Sequence, residues 1–164
     1  SSDVDHLPFE PHEIKKLTEG DLASIHNLIS SAELREELER LASIIVKPKG
    51  SILFRRGDDP IGAFLVHRGR IGLCFDCESK AFPQRVLGPG AIVGLPASVS
   101  GNPYSLTAEV IQDSEFAFVP RRSLVQCLRN DPNFGFEIIT LLSSEIFDMR
   151  SLLKTKPSDL PARV

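Results

Sequence analysis

The side chains able to bind or react are few, and their spacing limits what each can do. Cys74-Phe75-Asp76-Cys77 is a C-x-x-C, which serves either a metal or a dithiol pair. Zinc needs two further ligands at matching spacing, and the chain has no second C-x-x-C. A thioredoxin-like role needs a βαβ setting, which is absent. Two readings stay open: ordinary cysteines entering a hairpin around Glu78-Ser79-Lys80, or a reversible redox pair with His67 nearby. The histidines, His6, His12, His26 and His67, are scattered and form no H-x-H. Asp58-Asp59 precedes Pro60 at a turn and reads as solvated. No G-x-S-x-G elbow and no G-x-x-x-x-G-K-[ST] loop occurs. The expectation is a protein without enzymatic activity, metal or cofactor.

One further group has a different character. Gly94, Ser98, Ser100, Ser105 and Thr107 make a small, neutral, hydroxyl-bearing stretch.

The elements that must position these residues fall into three parts. Residues 1–20, punctuated by Pro8 and Pro11, read as a polar arm. Thr18 and Asp21 open a helix with Leu22, Ile25, Leu28 and Ile29 on one face. Ser30 with Glu33 forms a capping box before Leu34, Leu38 and Leu41. From Ile44 to Val119, short apolar runs alternate with turn signals about every eight to twelve residues, the signature of a sandwich or barrel. Strands are expected near 44–47, 51–55, 63–68, 70–75, 83–87, 91–93, 106–111 and 114–119. The turns between them include Gly57-Asp58-Asp59-Pro60, Arg68-Gly69, Gly88-Pro89-Gly90 and Gly101-Asn102-Pro103. Pro120 then precedes a helix over 121–130, and Pro132 stands in the first turn of a longer one. Apolar residues surround most of that longer helix, leaving Glu137, Thr140, Ser144, Asp148 and Ser151 as a narrow polar strip. It is either deeply buried in the monomer or shared between the barrel and a second subunit.

Composition sets outer bounds. The chain has 164 residues, 41% hydrophobic and 25% charged, which suits one globular domain spanning about 21–154, with 155–164 as a flexible tail. A net charge of −3 gives no electrostatic footprint for nucleic acid. No apolar run approaches the ~18 residues of a membrane span, and no leader pattern opens the sequence. Three cysteines, an odd number, fit a reduced cytoplasmic protein better than a disulfide framework. The 11 glycines and 12 prolines are the turn-formers that a chain of many short strands requires.

Gly50-Ser-Ile-Leu-Phe54-Arg-Arg-Gly57-Asp58 followed by Ala63-Phe64-Leu65-Val66-His67-Arg68-Gly69-Arg70-Ile71 resembles the opening of a cyclic-nucleotide-binding domain. Leu87-Gly88-Pro89-Gly90-Ala91-Ile92-Val93-Gly94 is similar to its middle. Ser105 to Val110 and Glu115 to Pro120 are similar to its end. The resemblance runs from about residue 24 to 153, and each piece is weak alone, so its force lies in their order and glycine spacing. It points to the sensor domains of Crp–Fnr transcription regulators and of cyclic-nucleotide-gated channels and kinases. The implied fold is mainly β with flanking helices: a double-stranded β-helix, or jelly-roll barrel, over about 44–119, with N-terminal helices and a long C-terminal dimerisation-type helix. The resemblance also implies a homodimer through helix 132–153, with Ile138, Leu142, Ile146, Met149 and Leu153 as the candidate contacts.

In such domains a Glu after the glycine takes the ribose hydroxyl, and an Arg before a Ser/Thr-Ala pair neutralises the cyclic phosphate. Carried over, the cassette is Gly94, Leu95, Pro96, Ala97 and Ser98, then Ser105, Leu106, Thr107 and Ala108. Both charged positions are leucine, and Pro96 removes an amide donor. A phosphate lacking its countercharge forfeits about 1.5–3 kcal/mol of charge-assisted hydrogen bonding. Tight cAMP or cGMP binding is therefore not expected, unless a displaced Arg85 or Arg121 reaches in. A site closed by Leu95 and Leu106, and a pocket for a less charged small-molecule effector, both fit the leucine pair. Iron–sulfur relatives use an N-terminal cysteine cluster, whereas residues 1–73 hold no Cys; a haem on His26 or His67 has no positive support. The regulators' helix-turn-helix is not expected here, because Pro157 and Pro161 break any helix after residue 154. Direct DNA binding by these residues is not expected either.

Overall fold

The computed structural model describes residues 31–75 and 85–153. The polar arm, the helix from Thr18, His6, His12, His26, the hairpin at Glu78-Ser79-Lys80 and the tail lie outside the described residues. Helix α1 (Ala32–Leu41) places Leu34 and Leu38 one turn apart on its buried face. Its N-cap is Ser31, whose Oγ accepts from the Leu34 amide at 3.1 Å. The capping position therefore stands one residue later than the expected Ser30, since Ser31 is the hydroxyl that reaches a free first-turn donor.

Six strands follow among the described residues: β1 (Ser43–Lys47), β2 (Ile52–Phe54), β3 (Gly62–Cys74), β4 (Arg85–Leu87), β5 (Ile92–Val93) and β6 (Thr107–Pro120). All pair antiparallel. The long strands β3 and β6 form the spine, paired from Gly62 opposite Pro120 to Cys74 opposite Thr107. β1 and β2 add to β6, while β4 and β5 add to β3. The sequence suggested two shorter strands in place of each long one, broken at Arg68-Gly69 and near Asp113. Both breaks are bulges at one level, with register shifts between Val66 and Ile71. Gly69 has φ +107°, and a Cβ there would collide with the Ser114 side chain, so the strands bend together without ending.

Alternation along these strands builds two cores. Phe64 and Val66 of β3 and Phe116 of β6 fill the barrel interior with Phe54, Ile71 and Tyr104. Leu65, Ala117 and Val119 face outward into a second layer with Leu34 and Leu38 of α1. That layer is completed by the short helix α2 (Leu95–Ser100), by α3 (Arg121–Asn130) and by α4 (Pro132–Leu153), which contribute Leu95, Leu124, Phe134 and Ile138. α4 divides its apolar residues by face. Phe134, Ile138 and Leu141 are buried, whereas Phe136, Ile139, Ile146 and Phe147 are exposed. A helix buried on every side is thereby excluded for its described residues.

Candidate ligand cassette

The stretch from Gly94 to Ala108 is shaped by two left-handed glycines and one buried tyrosine. Gly94 opens α2 at φ +82°. A Cβ on it would press to 3.1 Å on both the Gly62 carbonyl and the Tyr104 ring. Tyr104 stacks on Phe54 with ring centroids 3.7 Å apart. Its hydroxyl donates to the Gly62 carbonyl at 2.7 Å and accepts from the Ile61 and Gly62 amides at 3.0 and 3.2 Å. One side chain thus fixes the Gly101–Leu106 loop against the start of β3 and takes up the space beside Gly94. No motif marks Tyr104 in the sequence; its signal is that it is the one Tyr in the chain and lies within the cassette.

At the other end of α2, Gly101 lies at φ +85° with its amide on the Ala97 carbonyl. Arg121, the first residue of α3, donates from Nε to the Ser98 carbonyl at 2.9 Å. A Cβ on Gly101 would meet that guanidinium at 2.8 Å. Arg121 therefore ends α2 and ties it to α3, at the opposite end from Gly94. Arg85, the other displaced candidate, faces Glu145 of α4, with Nη1 3.5 Å from a carboxylate oxygen.

The structure separates the two leucines. Leu95 is 1% exposed and belongs to the helix–barrel layer with Leu38, Leu124 and Ile138. Leu106 is half-buried and packs on the barrel interior, as does Ala97. The expectation that they close one site together is corrected: the residue following Gly94 faces outward to the helices. Ala108 is fully buried in the barrel interior, while Pro96 and Ser105 are exposed. Ser98 is 0% exposed, and its Oγ has no hydrogen-bond partner among the described residues. Thr107 Oγ1 accepts from the Arg56 amide at 2.9 Å. The Arg56 guanidinium lies 3.9 Å over the Phe75 ring and donates to the Phe75 carbonyl.

The remaining reactive groups sit elsewhere. Cys74 is disulfide-bonded and Cys127 is free, which corrects the expectation of three reduced thiols; Cys77 lies outside the described residues. His67 is not a partner of the C-x-x-C, because both its ring nitrogens face carboxylates, Glu39 and Glu115. Cys127 has ligating atoms within 4.8 Å of Glu37 and Asp131, a grouping no motif announces because only the packing of α1 on α3 creates it. Burial first, then the charges of Glu37 and Asp131, push the Cys127 thiol up, so it is a poor nucleophile.

The sequence profile described as Cyclic nucleotide-binding domain matches residues 45–131, more than half of the 164. The chain belongs to that family. No curated protein matches it in sequence. Solved structures show the same cyclic-nucleotide-binding fold. A cyclic nucleotide-binding domain from Methylobacillus flagellatus KT is 21% identical, with 89% of this chain and 88% of that one covered at TM-score 0.67. The Thermus thermophilus catabolite activator protein is 19% identical at TM-score 0.64, over 76% of this chain. The chain spans 59% of that protein's length. The N-terminal domain of a Streptomyces coelicolor A3(2) transcriptional regulator is 16% identical at TM-score 0.61, with 84% and 98% covered. Among the described residues, no helix is long and apolar enough to cross a membrane.

Proposed function

We propose that this cyclic-nucleotide-binding-family domain is a regulatory sensor whose cassette is degenerate for cAMP and cGMP. The observation that carries the reading is the absence of charge at both family positions, combined with the engagement of the nearby arginines. Leu95 and Leu106 replace the ribose acceptor and the phosphate cation. Arg121 is held at the far end of α2 and Arg85 faces Glu145. A phosphate placed on α2 would meet apolar side chains and Pro96, without a charge-assisted partner.

A less charged small-molecule effector fits the hydroxyls of this stretch better than an anion. Its effect would leave the cassette through Arg121, which joins α2 to α3, and reach α4 through the packing of α3 on α4. An effector that favours one arrangement of these helices shifts the population toward it. A second reading, a ligand-free interaction domain, is favoured by the Tyr104–Phe54 stack beside Gly94 and by the exposed apolar face of α4. The reading of a Crp–Fnr-type sensor domain shares this fold and the same cassette.

Calorimetric titration with cAMP and with cGMP tests the central claim. The expected outcome is no heat of binding at micromolar nucleotide. Micromolar affinity for either would overturn the degenerate-cassette reading.

A further inference from the structure

His67 stands on β3 where the end of α1 crosses the barrel. Its Nε2 lies 2.7 Å from Glu39 Oε2 of α1, and its Nδ1 lies 3.1 Å from Glu115 Oε2 of β6. Carboxylates only accept, whereas a neutral imidazole has one N–H and one lone pair. A neutral ring would satisfy one of these partners and turn its lone pair on the other. The imidazolium, with two N–H groups, satisfies both.

Arg68, Arg35 and Lys47, on this strand and the neighbouring elements, are cations, so it is the two carboxylates that favour that state. Glu115 is shared with Arg68 of β3, whose Nη2 is 3.3 Å from Oε1, and the Arg68 side chain is largely exposed. On α1, Arg35 lies one turn before Glu39, on the same side. On β1, Val46 pairs opposite Glu115, with Lys47 next along the strand. The hydrogen bonds of the ring run to the two carboxylates.

We propose that His67 is a proton-operated clamp that fastens α1 to the barrel, closed by the imidazolium and loosened when the ring becomes neutral. The anchor matters because α1 supplies Leu34 and Leu38 to the layer beneath α3 and α4. Freeing one end of α1 would change the support of those helices without any ligand entering the cassette. The proposal is independent of what the cassette binds.

The direction of titration follows from the same contacts. Burial disfavours the charged ring, but the hydrogen bonds and charges of Glu115 and Glu39 outweigh it and raise His67 above the ordinary histidine value. Glu115 is held below the ordinary carboxylate value by its hydrogen bond to His67, against burial, with Arg68 adding to the effect. A raised histidine stabilises the docked helix fully below the ordinary histidine pKa, and that stabilisation is lost as pH rises through the raised one.

Hydrogen exchange of the α1 amides, corrected for intrinsic rates between about pH 6 and pH 9, tests the clamp. In the wild type, protection of α1 should fall severalfold across that range, while the β3 and β6 amides hold theirs. His67→Gln keeps a hydrogen-bonding side chain but does not titrate, so its α1 protection should stay flat with pH. A flat wild-type profile, or the same slope in H67Q, would overturn the proposal. An NMR titration of the His67 ring in the wild type serves even if H67Q folds poorly. The expected midpoint is above the ordinary histidine range and drops in Glu39→Gln; a midpoint at or below that range sinks the idea.

Discussion

Leu95 and Leu106 show how far a residue-by-residue reading can go. Their identity is plain in the sequence, and so is the loss of both charges. Their placement is not, because which face of α2 turns toward the helices depends on the whole packed layer. That placement changes the expected effect of restoring charge. Leu95→Glu would put a carboxylate into an apolar layer, adding the desolvation of an unpaired charge to the loss of a buried leucine, itself about 2–5 kcal/mol. Denaturant unfolding should show a drop of at least that size, with no gain of nucleotide affinity. Leu106→Arg differs, since Leu106 is half-buried beside Thr107. It should fold and give weak cAMP binding by calorimetry, still without a ribose acceptor. A folded L106R that remains silent would show that position 106 does not face the phosphate in this chain.

Among elements, the strands of the barrel were legible because turn-formers and apolar alternation are local signals. The fusion of four expected strands into β3 and β6 was not, since a bulge at Gly69 looks the same in sequence as a turn. Only the Ser114 side chain packed over Gly69 distinguishes them. The cap of α1 stands one residue later for a similar reason: Ser30 and Ser31 are chemically alike, so the sequence does not distinguish them. The bond from Arg121 to Ser98 was equally invisible, because it joins residues from two elements across the loop and the whole of β6. Its consequence can be measured. Arg121→Met keeps much of the side-chain volume but removes the donor, leaving the end of α2 without its tie to α3. Unfolding free energy should fall by about 1–2 kcal/mol, and the Gly101 amide should exchange faster. Unchanged exchange at Gly101 would show that α2 is held by its apolar residues alone, and the proposed route from cassette to α3 would lose its first step.

At the scale of the molecule, one apolar face of α4 is left uncovered among the described residues, and this revises which residues would join two copies. Ile138, expected at the contact, is 1% exposed and lies in the chain's own core. Leu142 packs partly on that core as well, while the side chains of Met149 and Leu153 lie outside the described residues. Phe136 and Phe147 are each 70% exposed, and with Ile139 between them they follow a helical stripe that also carries Thr140, Ser143 and Ser144. An exposed aromatic pair on a long helix is costly to leave in water, and a second copy of the same helix offers a matching stripe under two-fold symmetry. We propose that this stripe is the dimer contact. Light scattering should then report twice the monomer mass for the wild type, falling to the monomer for Phe136→Asp combined with Phe147→Asp, with the thermal unfolding of the barrel retained. Ile138→Asp should unfold the chain, because it charges the interior core. A wild type that stays monomeric at high concentration, or a double variant that stays dimeric, would remove the stripe from the interface.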